Sequence, residues 1–511
     1  MSSGSMSEDE FIGSDYDDLN SQDEESDMEY EQTEDIGFSE VVTEGQRRRA
    51  YEVEFTVLML ADILAAQASA ASHVAGILGV TQEQATALLR SFKWNKERLV
   101  ERYMDNSQEI LDQAGVDLND TRPRVFDRPE GFTCGICFDD SGSAVGLRCN
   151  HLFCQDCYSN YLTQKIVEEG ECRRIGCPEA RCNVVVDEQT IKKVVPPSVL
   201  TRYHHFQDRA YVEDLDNLKW CPAPNCENAV ECRLPHSSFL TIVPTVQCAC
   251  GYRFCFGCSM GDHQPAPCSL VKMWQKKCAD DSETANWISA NTKECSKCQS
   301  TIEKNGGCNH MTCRKCKYEF CWVCMGPWSE HGTSWYNCNR YEESSSTDAR
   351  DQQAKSRASL ERYLHYYNRF ANHEHSAKLD RDLYMKTEKK MEEMQRTSDL
   401  SWIEVQFLKK AVDVLTSCRM TLRWTYAFAF YLARNNTTEL FEDNQRDLEV
   451  AVEALSELLE KPIEREKIAE LRQQVLDKTV YVGSRREVVL EDTAKGLLEA
   501  RWEFNTNVED L

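Results

Sequence analysis

Residues 52–110 carry apolar side chains at the spacing of short amphipathic helices. The apolar positions from Val57 to Leu64 predict a first helix, and those from Val74 to Leu78 predict a second. Thr81 with Gln84 three residues later forms a capping box, which predicts the start of a third helix. The pattern therefore indicates a compact module of short helices.

Residues 342–511 show the same period over much longer stretches. Ser401 with Glu404 predicts one helix start, and Asn436 with Glu439 predicts another. The first of these helices has an apolar face that must be buried against other helices: Trp402, Val405, Leu408, Val412 and Leu415. We expect a bundle of about four helices, with Trp402, Phe407 and Trp424 in its core.

Residues 1–50 hold 16 acidic and three basic residues, which is 3 − 16 = −13, half of the net charge of −26. Few bulky apolar groups are available to offset the entropy of ordering, so this stretch is predicted to be a disordered acidic tail. The overall charge would repel phosphate backbones and argues against a general nucleic-acid binder.

The 26 cysteines are concentrated in the middle third, with none before Cys134 and only Cys418 beyond Cys338. The chain opens MSSGSMSEDE without a signal-like stretch, and no segment reads as a membrane span. We therefore expect the cysteines to bind metal ions instead of forming disulfides. That expectation places the protein in a reducing compartment, which is the cytoplasm or also the nucleus.

Zinc prefers four Cys or His ligands, usually supplied as two closely spaced pairs. The first block of eight ligands is Cys134, Cys137, Cys149, His151, Cys154, Cys157, Cys177 and Cys182, with Cys172 as an alternative member of the last pair. The second block is Cys221, Cys226, Cys248, Cys250, Cys255, Cys258, His263 and Cys268. The third block is Cys295, Cys298, Cys313, Cys316, Cys321, Cys324, His331 and Cys338. The 21 Cys and three His make 24 ligands, which predicts six zinc ions.

Five cysteines remain outside these blocks: Cys172, Cys232, Cys278, Cys308 and Cys418. Cys308 stands out because two glycines precede it and His310 follows it, in the loop between two ligand pairs. The glycines leave room for a large electrophile, and the imidazole can accept a proton. We interpret Cys308 as a nucleophile, with Glu319 as a candidate to orient His310. The alternative is that Cys308 or His310 ligates zinc, which the ligand count disfavours.

The order of the three blocks resembles the RING-between-RING family of E3 ubiquitin ligases. The segments WCPAPNC, TKECSKCQSTIEKNGGCNHMTC and EFCWVCMGPWSEHGTSWYNCNRY, with SWIEVQFLKKAVDVL near the C-terminus, resemble its Ariadne subfamily. The resemblance covers roughly residues 52–511. In the RING fold that the first block resembles, the first and third ligand pairs share one zinc ion, and the second and fourth share the other.

The resemblance implies a multidomain fold: a UBA-like helical module, three zinc modules (RING1, IBR and RING2) with helical linkers, and an all-α Ariadne bundle. The expected boundaries are 1–50 for the acidic tail, 52–110 for the UBA-like module, 130–183 for RING1, 184–219 for a linker, 220–268 for IBR, 269–293 for a second linker, 294–341 for RING2 and 342–511 for the Ariadne domain.

The resemblance also implies a relay in which ubiquitin passes from a charged conjugating enzyme (E2) to Cys308 as a thioester, and then to a substrate lysine. It makes His310 the base and Glu319 its orienting partner, and it places Ile136 in the E2 contact. Asn183 stands where many E2-activating RINGs have arginine. The Ariadne domain is implied to inhibit catalysis, with Leu379, Asp380 and Glu453 on its inhibitory face. The UBA-like module is implied to bind neddylated cullin-RING ligases.

Three other classes compete with this interpretation. Six zinc ions would also suit a non-catalytic scaffold, although a scaffold has no use for a ligand-free Cys308. The second class is a RING ligase that passes ubiquitin directly from E2 to substrate. The third is a nucleic-acid-binding zinc finger, which the negative net charge disfavours.

Overall fold

The computed structural model describes residues 48–118, 124–127, 129–140, 142–280, 292–304, 306–331, 338–341, 352–397, 406–461 and 467–505. Almost all of the predicted acidic tail lies outside these residues. The predicted capping box at Ser401 and the predicted core positions Trp402 and Val405 also lie outside them.

The N-terminal module is one short strand followed by four helices. These elements are β1 (Thr56–Leu58), α1 (Leu60–Leu78), α2 (Gln82–Ser91), α3 (Lys96–Asp105) and α4 (Ser107–Ala114). The capping box at α2 is confirmed, because Thr81 Oγ1 accepts from the Gln84 N–H at 3.3 Å and Gln84 Oε1 accepts from the Thr81 N–H at 2.9 Å.

Two details of the predicted helices in this module were wrong. The predicted first and second helices are a single helix, α1, because the alanine-rich stretch between them favours helix and contains no breaker. Val57 and Leu58 belong to strand β1, which pairs antiparallel with a strand 170 residues later in the chain, with Val57 opposite Val230. Pairing with a distant strand outweighs the local helical pattern there.

In its described residues, the middle third consists of very short strands, four α-helices, one π-helical segment (Gln164–Glu168) and two 3₁₀ segments (His236–Leu240 and Trp328–Glu330). The strands are β2 (Val125–Phe126), β3 (Ala144–Gly146), β4 (Leu152–Cys154), β5 (Leu218–Trp220), β6 (Ala229–Glu231), β7 (Thr245–Gln247), β8 (Arg253–Cys255), β9 (Thr292–Glu294), β10 (Thr301–Glu303), β11 (His310–Thr312) and β12 (Glu319–Cys321). The helices are α5 (Gln155–Thr163), α6 (Glu188–Val194), α7 (Pro197–Asp214) and α8 (Cys268–Asp280). The sheets have the orders β2-β3-β4, β1-β6-β5, β7-β8, β10-β9 and β11-β12.

Where the C-terminal part is described it is a bundle of four helices, in agreement with the prediction of about four: α9 (Gln352–Thr397), α10 (Phe407–Tyr431), α11 (Asn436–Glu460) and α12 (Ile468–Leu498). The cap of α11 is Asn435, one residue earlier than predicted, and its side chain accepts from the Thr438 N–H at 2.9 Å. Phe407 and Trp424 are buried in the bundle core, as predicted.

Helix α8 extends this core by inserting a fully buried indole, that of Trp274. The ring lies edge-to-face against Phe370 of α9 at 5.4 Å and against Phe430 of α10 at 5.3 Å. Helix α8, which begins at the last ligand of the second zinc block, therefore belongs to the hydrophobic core of the bundle.

The segment before β1 connects three parts of the molecule. The Ala50 N–H donates to Glu491 of α12 at 2.8 Å, and Gln264, beside the second zinc module, donates to the Tyr51 carbonyl at 2.9 Å. Together with the pairing of β1 and β6, these bonds attach the N-terminal module to both the zinc module and the bundle.

Among the described residues, none of the helices alone has the length and apolar character needed to cross a membrane. Helices α1 and α2 taken together meet those criteria, but they are bent by 103° at the break between them.

We expect the substitution Trp274→Ala to destabilise the packing of α8 on the bundle by about 3–5 kcal/mol, because it removes a fully buried indole and leaves a cavity. The measurement is the urea midpoint of the bundle, together with amide hydrogen exchange in α8 and α9. Lys272→Ala, at an exposed position of the same helix, is the matched control. Equal midpoints for the two variants would contradict this assignment.

Candidate active site and zinc centres

Five groups of four Cys or His side chains have their ligand atoms within 4.8 Å of one another. They are Cys134, Cys137, Cys154 and Cys157; Cys149, His151, Cys177 and Cys182; Cys221, Cys226, Cys248 and Cys250; Cys255, Cys258, His263 and Cys268; and Cys295, Cys298, Cys313 and Cys316. In the first block the first and third pairs come together, and so do the second and fourth.

A sixth group contains the last four predicted ligands. His331 Nε2 lies 3.1 Å from Cys338 Sγ and 3.9 Å from Cys324 Sγ. Cys321 completes the group, since it interacts with both His331 and Cys338.

The spacing of the sulfur atoms fits tetrahedral zinc. Ligands about 2.3 Å from a central ion stand roughly 3.8 Å apart, whereas a disulfide brings two sulfurs to about 2.05 Å. Cys137 and Cys154 are separated by 3.6 Å, Cys221 and Cys250 by 3.7 Å, and Cys295 and Cys316 by 3.7 Å. Zinc bound to these groups would crosslink strands and loops that are too short to form large cores.

The remaining cysteines stand outside the six groups. Cys172 is buried in the core of the first zinc module, where burial raises the pKa of its thiol to about 11. Cys232 and Cys418 are buried and Cys278 is partly buried, as is common for cysteines that act as small hydrophobic residues.

Cys308 lies in the loop between β10 and β11, which we call the thiol loop. Its sulfur is outside every zinc group and accepts from the His310 N–H at 3.4 Å. An N–H donated to a thiolate stabilises the ionised form that attacks an electrophile.

The His310 imidazole lies between an acidic side chain and an aromatic ring. Its Nε2 is 3.5 Å from Glu319 Oε2, which is longer than a good hydrogen bond, and the Glu319 side chain is 57% exposed. The ring also stacks on Trp328, with centroids 4.3 Å apart and planes 6° apart. The stacking fixes the plane of the imidazole. The sequence indicated the carboxylate of Glu319 but not the indole of Trp328.

Two glutamates of α11 hold the backbone of the thiol loop. Glu460 Oε1 accepts from the N–H groups of Gly307 at 3.1 Å and Cys308 at 3.5 Å. Glu453 accepts from the Asn309 N–H, and its Oε1 accepts from the Asn309 amide at 2.9 Å. The helical bundle therefore contacts the candidate nucleophile directly.

A buried arginine holds the carboxylates in place. Arg419 of α10 is fully buried and donates to Asp380 of α9 at 2.8 Å, to Glu453 at 3.1 Å and to Ser456 at 3.0 Å. Burial disfavours its charge, but the two carboxylates outweigh burial and raise the pKa of Arg419 above its ordinary value. We call Asp380, Arg419, Glu453 and Glu460 the clamp.

Lys304 also joins the thiol loop to α9. Its Nζ donates to Asn309 at 3.0 Å, to Asn372 at 3.0 Å and to Ser376 at 2.8 Å. Burial lowers the pKa of Lys304 to about 8. Sequence reasoning missed Lys304, Arg419 and Glu460, although Lys304 lies only four residues before Cys308.

The bundle leaves Cys308 only 6% exposed. Burial, followed by the nearby charge of Glu453, raises the pKa of the Cys308 thiol well above its ordinary value. A cavity of about 730 Å³ adjoins the loop, lined by Cys308, His310, Leu379 and Glu460 among others. Of the predicted inhibitory residues, Asp380 and Glu453 belong to the clamp and Leu379 lines this cavity.

The first zinc module presents apolar side chains to solvent. Ile136, between two ligands, is 48% exposed, and Phe138 is 79% exposed. Asn183, just after the last ligand, is also exposed. All three side chains are therefore accessible to solvent.

Protein-family models match five successive regions of the chain. They are described as "E3 ubiquitin-protein ligase ARIH1, UBA-like domain" for residues 65–105, "Zinc finger, C3HC4 type (RING finger)" for 134–179, "IBR domain, a half RING-finger domain" for 201–268, "IBR domain" for 290–339 and "Ariadne domain" for 361–498. Their order agrees with the fold class expected from the sequence.

Curated relatives match over most of their length. The E3 ubiquitin-protein ligase dbl4 of Schizosaccharomyces pombe is 58% identical over 475 residues, which cover 93% of this chain and 93% of the relative. The E3 ubiquitin-protein ligase ARIH1 of Homo sapiens is 48% identical, covering 82% of this chain and 76% of the relative. The E3 ubiquitin-protein ligase ariadne-1 of Drosophila melanogaster is 44% identical, covering 89% and 91%. This chain therefore belongs to the Ariadne family of RING-between-RING E3 ubiquitin-protein ligases.

Proposed function

We propose that this ligase works by a thioester relay through Cys308 and that the helical bundle holds the relay closed. One observation carries the proposal: Cys308 is the cysteine of the third zinc block that stands outside its two ligand groups, and its loop is held by the clamp. A purely structural zinc module would need neither feature.

In the first transfer the Cys308 thiolate attacks the thioester carbonyl that joins ubiquitin to the E2. A new carbon–sulfur bond forms, and the E2 thiolate leaves. The exposed Ile136 of the first zinc module is the proposed E2 contact, and the N–H of His310 stabilises the attacking sulfur.

In the second transfer a substrate lysine attacks the Cys308 thioester. A protonated amine is a poor nucleophile, so a base must accept its proton. His310 fits this role because Trp328 fixes its ring plane and Glu319 Oε2 faces Nε2 at 3.5 Å. The Cys308 thiolate is the leaving group, and ubiquitin ends on the lysine as an isopeptide.

The closed arrangement opposes both transfers in two ways. The bundle leaves too little space for ubiquitin to reach the 6% exposed Cys308. Burial and Glu453 also disfavour the thiolate that must attack. Both effects would be relieved by moving α9 and α11 away from the thiol loop.

The proposed partners beyond E2 and ubiquitin follow from the N-terminal module. We assign it the binding of neddylated cullin-RING ligases, supported by its resemblance and by apolar side chains of α1 that face solvent. Leu60 is 39% exposed, Leu64 46% and Ile77 46%. The many reduced thiols suit a cytoplasmic location.

The six ligand groups lead us to propose six structural zinc ions per chain. Elemental analysis of purified protein is expected to give six zinc ions per chain. Cys313→Ala is expected to give five, because the group that contains Cys295, Cys298 and Cys316 loses a ligand and unfolds locally. Structural zinc stabilises small modules by on the order of 10 kcal/mol, so removing one ion is severe. A ratio of five in the parent protein would contradict the sixth site.

Substituting Glu453→Ala and Glu460→Ala together is expected to release the thiol loop. The rate at which iodoacetamide alkylates Cys308, read by mass spectrometry, is expected to rise roughly tenfold or more, because each unit by which the thiol pKa falls gives tenfold more thiolate. Ubiquitin transfer is expected to rise with it. Glu457→Ala, an exposed glutamate of the same helix paired with Lys461, is the matched control. Unchanged alkylation in the double variant would contradict inhibition by the clamp.

In this released protein, Cys308→Ser separates the relay from direct transfer. The relay predicts a ubiquitin oxyester that survives reducing agent, whereas the unsubstituted released protein forms an adduct that reducing agent removes. Isopeptide formation is expected to fall by several orders of magnitude. Normal isopeptide formation without any adduct would instead support direct transfer from E2 to substrate.

A further inference from the structure

One carboxylate oxygen of the bundle is bound by two successive backbone N–H groups of the thiol loop. Glu460 Oε1 lies 3.1 Å from the nitrogen of Gly307 and 3.5 Å from the nitrogen of Cys308. The second of these N–H groups belongs to the candidate nucleophile itself. The same loop and the same glutamate line the cavity of about 730 Å³.

Acyl transfer needs donors at such a position. When a thiolate or an amine attacks a thioester, the carbonyl oxygen becomes an anion in the tetrahedral intermediate. Enzymes stabilise that anion with preorganised N–H groups, often including the N–H of the nucleophilic residue. Glu460 Oε1 accepts from the Gly307 N–H at 3.1 Å and faces the Cys308 N–H at 3.5 Å, so a small shift of the loop would let both N–H groups converge on one anionic oxygen, as this intermediate requires.

We propose that the backbone N–H groups of Gly307 and Cys308 form the oxyanion hole for both ubiquitin transfers, and that Glu460 fills this hole in the closed protein. The assignment rests on the thioester relay proposed above. It gives Glu460 a second inhibitory role, since its carboxylate occupies the place of the reacting oxygen as well as holding the loop.

The electrons balance in both steps. In the first, the Cys308 sulfur donates an electron pair to the carbonyl carbon of the E2 thioester, and the π electrons of the carbonyl group move onto its oxygen. The carbonyl double bond then forms again as the bond to the E2 sulfur breaks and the E2 thiolate leaves. In the second, the lysine nitrogen attacks, its proton passes to His310, and the Cys308 thiolate leaves. The same oxygen is anionic in each intermediate, so one hole serves both.

Gly306 leaves room for this oxygen. A Cβ built at Gly306 would lie 2.5 Å from Glu460 Oε1, far inside normal contact distance. Gly306→Ala therefore places a methyl group where the reacting oxygen would lie.

The test uses the full-length released protein, Glu453→Ala with Glu460→Ala, with and without Gly306→Ala. Because Glu460 is already truncated, the added methyl group cannot act by displacing it. We expect single-turnover thioester formation from charged E2 and discharge to free lysine each to slow by roughly tenfold to a hundredfold, up to the loss seen when one oxyanion donor is removed.

Alkylation by iodoacetamide distinguishes this role from a structural one. Alkylation displaces iodide at a saturated carbon and creates no oxyanion, so its rate at Cys308 is expected to stay within about twofold of the released parent. Zinc content is expected to stay at the parent value.

The assignment would be overturned if Gly306→Ala left both transfers within twofold of the released parent, if it slowed only one of them, or if it slowed alkylation equally. These results are distinguishable from a failure of the relay itself, which would show as the absence of an oxyester on Cys308→Ser in the released protein.

Discussion

The zinc-binding groups are the constraint on which the middle of this molecule depends. Its described strands have two or three residues each, and the core of the third zinc module has four buried members among the described residues: Cys295, Cys313, Phe320 and Trp322. So small a core cannot offset the conformational entropy of ordering the loops. Tetrahedral crosslinks between distant turns supply the missing stability, and they also set the position of the thiol loop, which runs between ligands Cys298 and Cys313.

The bundle and the thiol loop meet through charges that burial makes expensive to leave unpaired. Arg419 is fully buried, and its charge is balanced by Asp380 and Glu453, which also faces the loop amides. Removing one member of such a network leaves its partners uncompensated, which destabilises the arrangement strongly. The contact between the bundle and the thiol loop is therefore stable while every charge in the network is paired, and any displacement of α9 or α11 would destabilise it. That combination fits the inhibitory role proposed for the bundle.

Predictions from the sequence were most complete for sites whose residues lie close together along the chain. Ligand spacing identified the members of each zinc group, and the two glycines with His310 singled out Cys308. Sequence reasoning also predicted a C-terminal bundle of about four helices and the start of one of them near Asn436, because the apolar periodicity there is long. It failed at Val57 and Leu58, where pairing with β6 replaced a predicted helix by a strand. It also split α1 in two, because the alanine stretch lacks bulky apolar markers although alanine favours helix.

The sequence by itself determined which residues can bind zinc, that Cys308 is left over beside a histidine, and that the C-terminal part is a helical bundle, since spacing and periodicity follow from local backbone geometry. Only the tertiary structure decided that Glu453 and Glu460 reach the thiol loop, that Arg419 and Lys304 are buried beside it, and that Trp328 stacks on His310. These contacts join residues up to about 150 positions apart, as in the bond from Gly307 to Glu460. No local pattern encodes such a pairing, because it arises only when separately folded modules pack together and bury their polar groups against one another.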